Sequence, residues 1–218
     1  MSTQSVLIVT YGRSGSTLLM GILNAINGYQ IRGENNNSFY HLYRSFRALE
    51  RSSRLSTNVT TNPWYNQFDL ELLKSHIGRF VKSTLCGDGS ARVYGFKEIR
   101  YIPHPSADEG MPDYATFADY LDFLRDIFPF CKILFNTRNV AEVIQSGWWA
   151  RHKEESQQLI ITANQWYDTY SQNNRDCFHI DYSDVVKNGT ALAELFAFLG
   201  EEYCRETMAR VLELPHSD

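Results

Sequence analysis

Apolar positions along the chain fall into two alternating patterns, short buried runs and longer stretches of helical period. Ser5–Thr10, "SVLIVT", is rich in β-branched residues and predicts a strand buried on both faces. Leu18, Leu19, Ile22, Leu23 and Ile26 then recur at helical spacing, with Gly28 placed to end that helix. Tyr29–Arg32 predicts a second strand, and Phe39–Arg51 a helix with a basic and aromatic surface. Ser52–Gln67 is polar, contains Pro63 and Trp64, and reads as a loop. Leu70, Leu73, Ile77, Phe80 and Val81 mark a helix, Val93–Ile99 a third strand, and Pro103–Pro112 a proline-rich loop. Phe117, Tyr120, Leu121, Leu124, Ile127 and Phe128 line one face of a further helix. Cys131–Phe135 predicts the fourth strand, Val140–Trp149 and Glu155–Asn173 two helices, and Cys177–Ile180 a short fifth strand. Leu192, Leu195, Phe196 and Leu199 share a face before Gly200 stops the last helix.

This alternation predicts an α/β fold: a P-loop-like parallel sheet of about five strands with helices on both faces. No internal repeat or low-complexity linker interrupts the pattern, so residues 1–218 are expected to form a single domain.

Composition narrows the function classes. A formal net charge of -4 supplies no global basic field for nucleic acid, so an anionic ligand must be held by local groups. No window approaches the roughly 18 uninterrupted apolar residues of a membrane span. The start, "MSTQSVLIVTYG", lacks a basic start and a small-residue cleavage site and runs straight into a strand, so it does not read as a signal peptide and a cytoplasmic protein is expected. Cys86, Cys131, Cys177 and Cys204 are widely separated, as expected of free and mostly buried thiols rather than a disulfide framework. The six histidines stand singly, so no metal site is expected.

The candidate chemistry starts at the loop after the first strand. Laid over Thr10–Thr17, the phosphate-binding pattern GxxxxGK(S/T) matches at Gly15 and Thr17, but Thr10 replaces the first glycine and Ser16 the lysine. The physical device survives. Gly12 and Gly15 allow a tight turn that points N–H groups inward, the following helix N-terminus adds partial positive charge, and Ser14, Ser16 and Thr17 add hydroxyl donors. Serine capping with turn glycines would explain much of this in any strand–helix unit, but it does not explain Arg13. A kinase acting on a triphosphate also needs a lysine and an acid for Mg²⁺. Here the fourth strand continues "ILFNTRN", with Asn136 where an acid is wanted. A sulfuryl group carries one negative charge less than a terminal phosphoryl group, and positioning plus a few cationic donors can serve it.

These residues resemble a known family. "TYGRSGSTLL" is similar to the 5′-phosphosulfate loop of sulfotransferases that use 3′-phosphoadenosine 5′-phosphosulfate (PAPS) and release 3′-phosphoadenosine 5′-phosphate (PAP). "ILFNTRNVAEVIQSGWW" is similar to that family's 3′-phosphate segment, where an arginine is followed eight residues later by a serine, here Arg138 and Ser146. The loop form is closer to the carbohydrate and tyrosylprotein branches than to the small-molecule cytosolic branch. The resemblance implies Glu34, in "YQIRGENNN", as the catalytic base, with Lys97, in "YGFKEIRY", and Arg13 stabilising the transferring group. It implies a contact from Tyr182 to the 3′-phosphate and no metal. Placed on the predicted helix, Ser146 would lie roughly two turns beyond Arg138. Each residue also has a plainer reading: Glu34 as a solvated turn acid, Lys97 as a strand-edge partner of Glu98, Tyr182 as core. Should Glu34 not be the base, His104 or His152 takes its place.

The resemblance implies an acceptor hydroxyl on a carbohydrate, glycolipid or small natural product. Trp64, Tyr65 and Phe68, or Trp148 and Trp149, are candidates for an apolar wall beside it. At 218 residues the chain is short for this family, and a homo-oligomer would let a second copy complete the acceptor cover. The alternatives are a P-loop-type kinase of a small metabolite and a non-catalytic nucleotide-binding module.

Overall fold

The computed structural model describes residues 4–54, 69–86, 89–103 and 110–213. Five strands form one wholly parallel sheet: β1 (Gln4–Val9), β2 (Tyr29–Arg32), β3 (Val93–Glu98), β4 (Cys131–Thr137) and β5 (Cys177–Asp181), in the spatial order β2-β3-β1-β4-β5. β1 is central, with Leu7 opposite Phe96 of β3 and Ile133 of β4. Its run of apolar residues follows from this position, because both of its faces are covered.

Alternate residues of β1 feed two cores. Leu7 and Val9 join an aromatic-rich layer beneath α2 (Ser38–Arg54), α3 (Leu70–Cys86), α4 (Tyr114–Ile127) and α6 (Lys153–Gln172). Val6 and Ile8 join a more aliphatic layer beneath α1 (Ser16–Asn24), α8 (Thr190–Leu199) and α9 (Arg205–Leu212). The predicted stripe on α4 is buried, and Asp113 caps that helix by accepting from the Thr116 N–H at 2.7 Å. The α/β fold with helices on both faces is therefore as the hydrophobic pattern predicts.

Three details differ. α1 ends at Asn24, and Gly28 lies in the turn into β2 at φ 80. α7 (Tyr182–Lys187) and α9 are additional helices, short segments whose pattern is too brief to read. Val140–Trp149 is not one helix: α5 stops at Val143, and a 3-10 helix begins at Gly147. Gly147 has φ 60, a left-handed backbone that an α-helix cannot pass through. The four cysteines are free, two of them buried. Among the described residues no helix is long and apolar enough to cross a membrane, and no cluster of His, Cys, Asp or Glu could hold a metal ion.

β1 leads through α1 to β2 on one side of the sheet, while β3 leads through α4 to β4 on the other side of β1. The connections diverge there, which opens a crevice at the carboxyl ends of the strands.

Candidate active site

The loop Gly12–Gly15 is held from below. Thr10, buried beneath it, donates to the Asn136 carbonyl at 2.6 Å and lies 2.7 Å from Ser14 Oγ. Thr10 thus ties the loop to β4 where a standard phosphate loop has a glycine. Ser14 is fully buried and its hydroxyl faces Asn136 at 3.5 Å, so it points away from the crevice, whereas Ser16 and Thr17 line it. Asn136, where an acid was sought, directs its amide to the Ile180 and Thr137 carbonyls.

Two glycines allow rings to approach the loop. A Cβ at Gly15, whose φ is 80, would fall 2.1 Å from the Tyr182 ring. One at Gly12 would fall 2.2 Å from the Trp148 indole. Arg13 also adopts left-handed backbone, φ 68, in the kind of turn that gathers successive N–H groups on one side.

Trp149 is buried and donates its indole N–H to the Gly12 carbonyl at 2.9 Å. It braces the loop and does not line the crevice; of the two tryptophans offered as candidates for an apolar wall, Trp148 does.

Arg138 begins where β4 ends. The Tyr11 hydroxyl accepts from the Arg138 N–H at 3.1 Å and donates to its carbonyl at 3.2 Å. Burial pushes the Tyr11 phenol up to about 12, which extends its role as a neutral donor and acceptor into the alkaline range. The Arg138 guanidinium lies 4.3 Å from the centre of the Tyr182 ring, donates from Nε to Glu142 at 2.9 Å, and reaches the Arg13 carbonyl at 3.5 Å. Ser146 does not sit on a second helical turn. The break before Gly147 leaves it extended, at φ -117 and ψ 138, and turns it back onto the loop, where Arg13 Nε donates to its hydroxyl at 2.8 Å.

The opposite end is built on β2 and β3. β3 is internal, so Lys97 is not an edge residue, and its partner is Glu34 at 2.6 Å rather than Glu98. The Lys97 side chain is only 7% exposed and that of Glu34 34%. Glu98 is buried and was not singled out from sequence as a site residue; the available signal was an acid closing an apolar strand.

Both ends face one cavity of about 650 Å³. Gly12, Arg13, Gly15, Ser16 and Thr17 line it together with Glu34, Lys97, Arg138 and Tyr182. Three of these residues are cationic and one is acidic, in a chain whose net charge is -4. Leu18, Ile99, Val186 and Leu212 add apolar wall that was not anticipated. Ser14 and Ser146 back the lining rather than form it. His152 lies at the start of α6 and is not part of the lining. His104, Trp64, Tyr65 and Phe68 lie outside the described residues.

The arrangement can grip an anion at the loop and Arg138 while presenting a carboxylate and an ammonium across the cavity. A profile described as the sulfotransferase family matches residues 5–205. Among solved structures, the chain is similar to the sulfotransferase domain of the Synechococcus PCC 7002 olefin synthase, with a TM-score of 0.57 and 16% identity over 99% of this chain and 79% of that one. That likeness is one of fold. Retinol dehydratase, solved with androsterone and PAP, gives a TM-score of 0.42 and 12% identity over 98% of this chain and 64% of that one. No curated protein matches the chain.

Proposed function

Because the chain belongs to the sulfotransferase family, we propose that it moves a sulfuryl group from PAPS to an acceptor hydroxyl on a carbohydrate, glycolipid or small natural product, with residues 1–218 acting as one domain. The observation that carries this reading is the placement of the Lys97–Glu34 pair on the same cavity as Arg13, Arg138 and the glycine loop.

The residues fit the co-substrate's chemistry. The loop amides, Ser16 and Thr17 would hold the 5′-phosphosulfate. Arg138, with Ser146 and Tyr182 behind it, would hold the 3′-phosphate through a charge-assisted fork. Glu34 takes the proton from the acceptor hydroxyl. The acceptor oxygen forms the new bond to sulfur as the bond from sulfur to the bridging phosphate oxygen breaks, and that oxygen leaves with the electron pair as part of PAP. Lys97 carries three donor hydrogens, so it can keep one on Glu34 and turn another to the leaving oxygen. Arg13 and the loop amides offset charge on the sulfuryl oxygens.

Transfer of labelled sulfuryl from PAPS to a panel of phenol, glucose and 1-octanol tests the activity. A sulfated product from at least one member is expected. Absence of both transfer and PAP binding would overturn the reading.

A further inference from the structure

Glu98 is 1% exposed, and burying a carboxylate is costly unless its oxygens are well bonded. Here Oε2 accepts the N–H groups of Asn35 at 3.2 Å and Asn37 at 3.1 Å. Oε1 accepts the Ile99 N–H at 2.8 Å and the Arg100 guanidinium at 3.0 Å. The turn it binds is the one that directly follows Glu34, and it contains two left-handed asparagines, Asn36 at φ 54 and Asn37 at φ 60. Such backbone costs free energy and persists only where surrounding contacts hold it.

Holding a turn would be sufficient reason for such a residue, but Arg100 adds a second link. The same Nη1 that donates to Glu98 lies 3.6 Å from Glu34 Oε2, while Lys97 donates to Glu34 Oε1 at 2.6 Å. Both oxygens of Glu34 therefore face cations from one strand end, and the buried carboxylate between Lys97 and Arg100 in sequence anchors the backbone beneath Glu34.

We propose that Glu98 is a positioning residue for sulfuryl transfer: it fixes the Asn35–Asn37 turn and, through Arg100, aims the Glu34 carboxylate into the cavity. This rests on the reading of Glu34 as the base.

The test measures turnover with the fastest acceptor of the panel, or release of sulfate to water where none accepts, together with the PAP dissociation constant. Glu98→Gln replaces an accepting oxygen with a donor and is expected to lower turnover roughly 10- to 100-fold, the cost of a misplaced catalytic group, with PAP affinity nearly unchanged. Arg100→Met, which leaves the Glu98 carboxylate bonded to the backbone, should reproduce part of that loss and carries the test alone if Glu98→Gln does not fold. In a Glu34→Gln background neither change should lower the rate further. Full turnover in both variants while Glu34→Gln is impaired would overturn this inference alone. So would losses that persist undiminished in the Glu34→Gln background, or that track a fall in PAP affinity. Full turnover of Glu34→Gln would overturn the base assignment and this inference with it.

Discussion

At the loop end of the cavity, cations reach across chain segments to a hydroxyl, a carbonyl and a ring; at the β2–β3 end they are matched to carboxylates. Arg13 donates to Ser146, and Arg138 lies over Tyr182 and against the Arg13 carbonyl, its carboxylate contact being the half-exposed Glu142. Lys97 and Arg100 face Glu34 and Glu98, two cations for two acids, with Lys97 and Glu98 buried. The first arrangement leaves positive charge for an incoming anion. The second is balanced in charge before any ligand arrives. In the proposed mechanism the first is the gripping end and the second the proton-handling end.

The largest effect is expected at the proton-handling end. Glu34→Gln should reduce turnover by about 10²- to 10⁴-fold, the usual worth of general-base catalysis, while PAP binding measured by calorimetry stays nearly intact. The gripping end should answer in the opposite sense. Arg138→Ala removes a cation held by Tyr182 and Glu142 and should weaken PAP by about 2–4 kcal/mol, roughly 30- to 1,000-fold. Equal losses of affinity in both variants would erase the distinction between the ends.

Smaller effects test how the loop is built. Gly15→Ala forces a side chain into left-handed backbone and against the Tyr182 ring, and should lower stability by about 1–3 kcal/mol in thermal unfolding. Unchanged stability would mean that the ring and loop are not packed as described. The least effect at neutral pH belongs to Tyr11. Its phenol rises from 10.0 to about 12 in the fold, so the folded state keeps a proton that the unfolded chain loses. Its contribution is fully present below pH 10 and is lost as the pH rises toward 12, so stability should fall across that window. Other buried tyrosines such as Tyr29 and Tyr170 are raised too, so Tyr11→Phe should make that decline shallower without abolishing it, and an unaltered alkaline slope would count against the burial argument.

Much of this was legible in the chain. The sheet was readable because parallel strands buried on both faces are continuous apolar runs, and the loop because Gly12, Arg13 and Gly15 have few other uses together. The course of Val140–Trp149 was not. Its pattern is helical, and only Gly147 marks the break that folds Ser146 back onto Arg13. Trp149 reads as a candidate for an apolar wall, and its bond to the Gly12 carbonyl joins residues 137 apart in sequence, which no local pattern reveals. Glu98 reads from sequence only as an ion-pair partner of Lys97, because nothing local shows that the Asn35–Asn37 turn will close over it.

Calorimetric titration of the chain with PAP shows whether the cavity takes the nucleotide. Saturable binding at a single site is expected, retained in Glu34→Gln and severely weakened in Arg138→Ala. No binding of PAP to the unaltered chain at millimolar concentration would contradict the proposed use of PAPS.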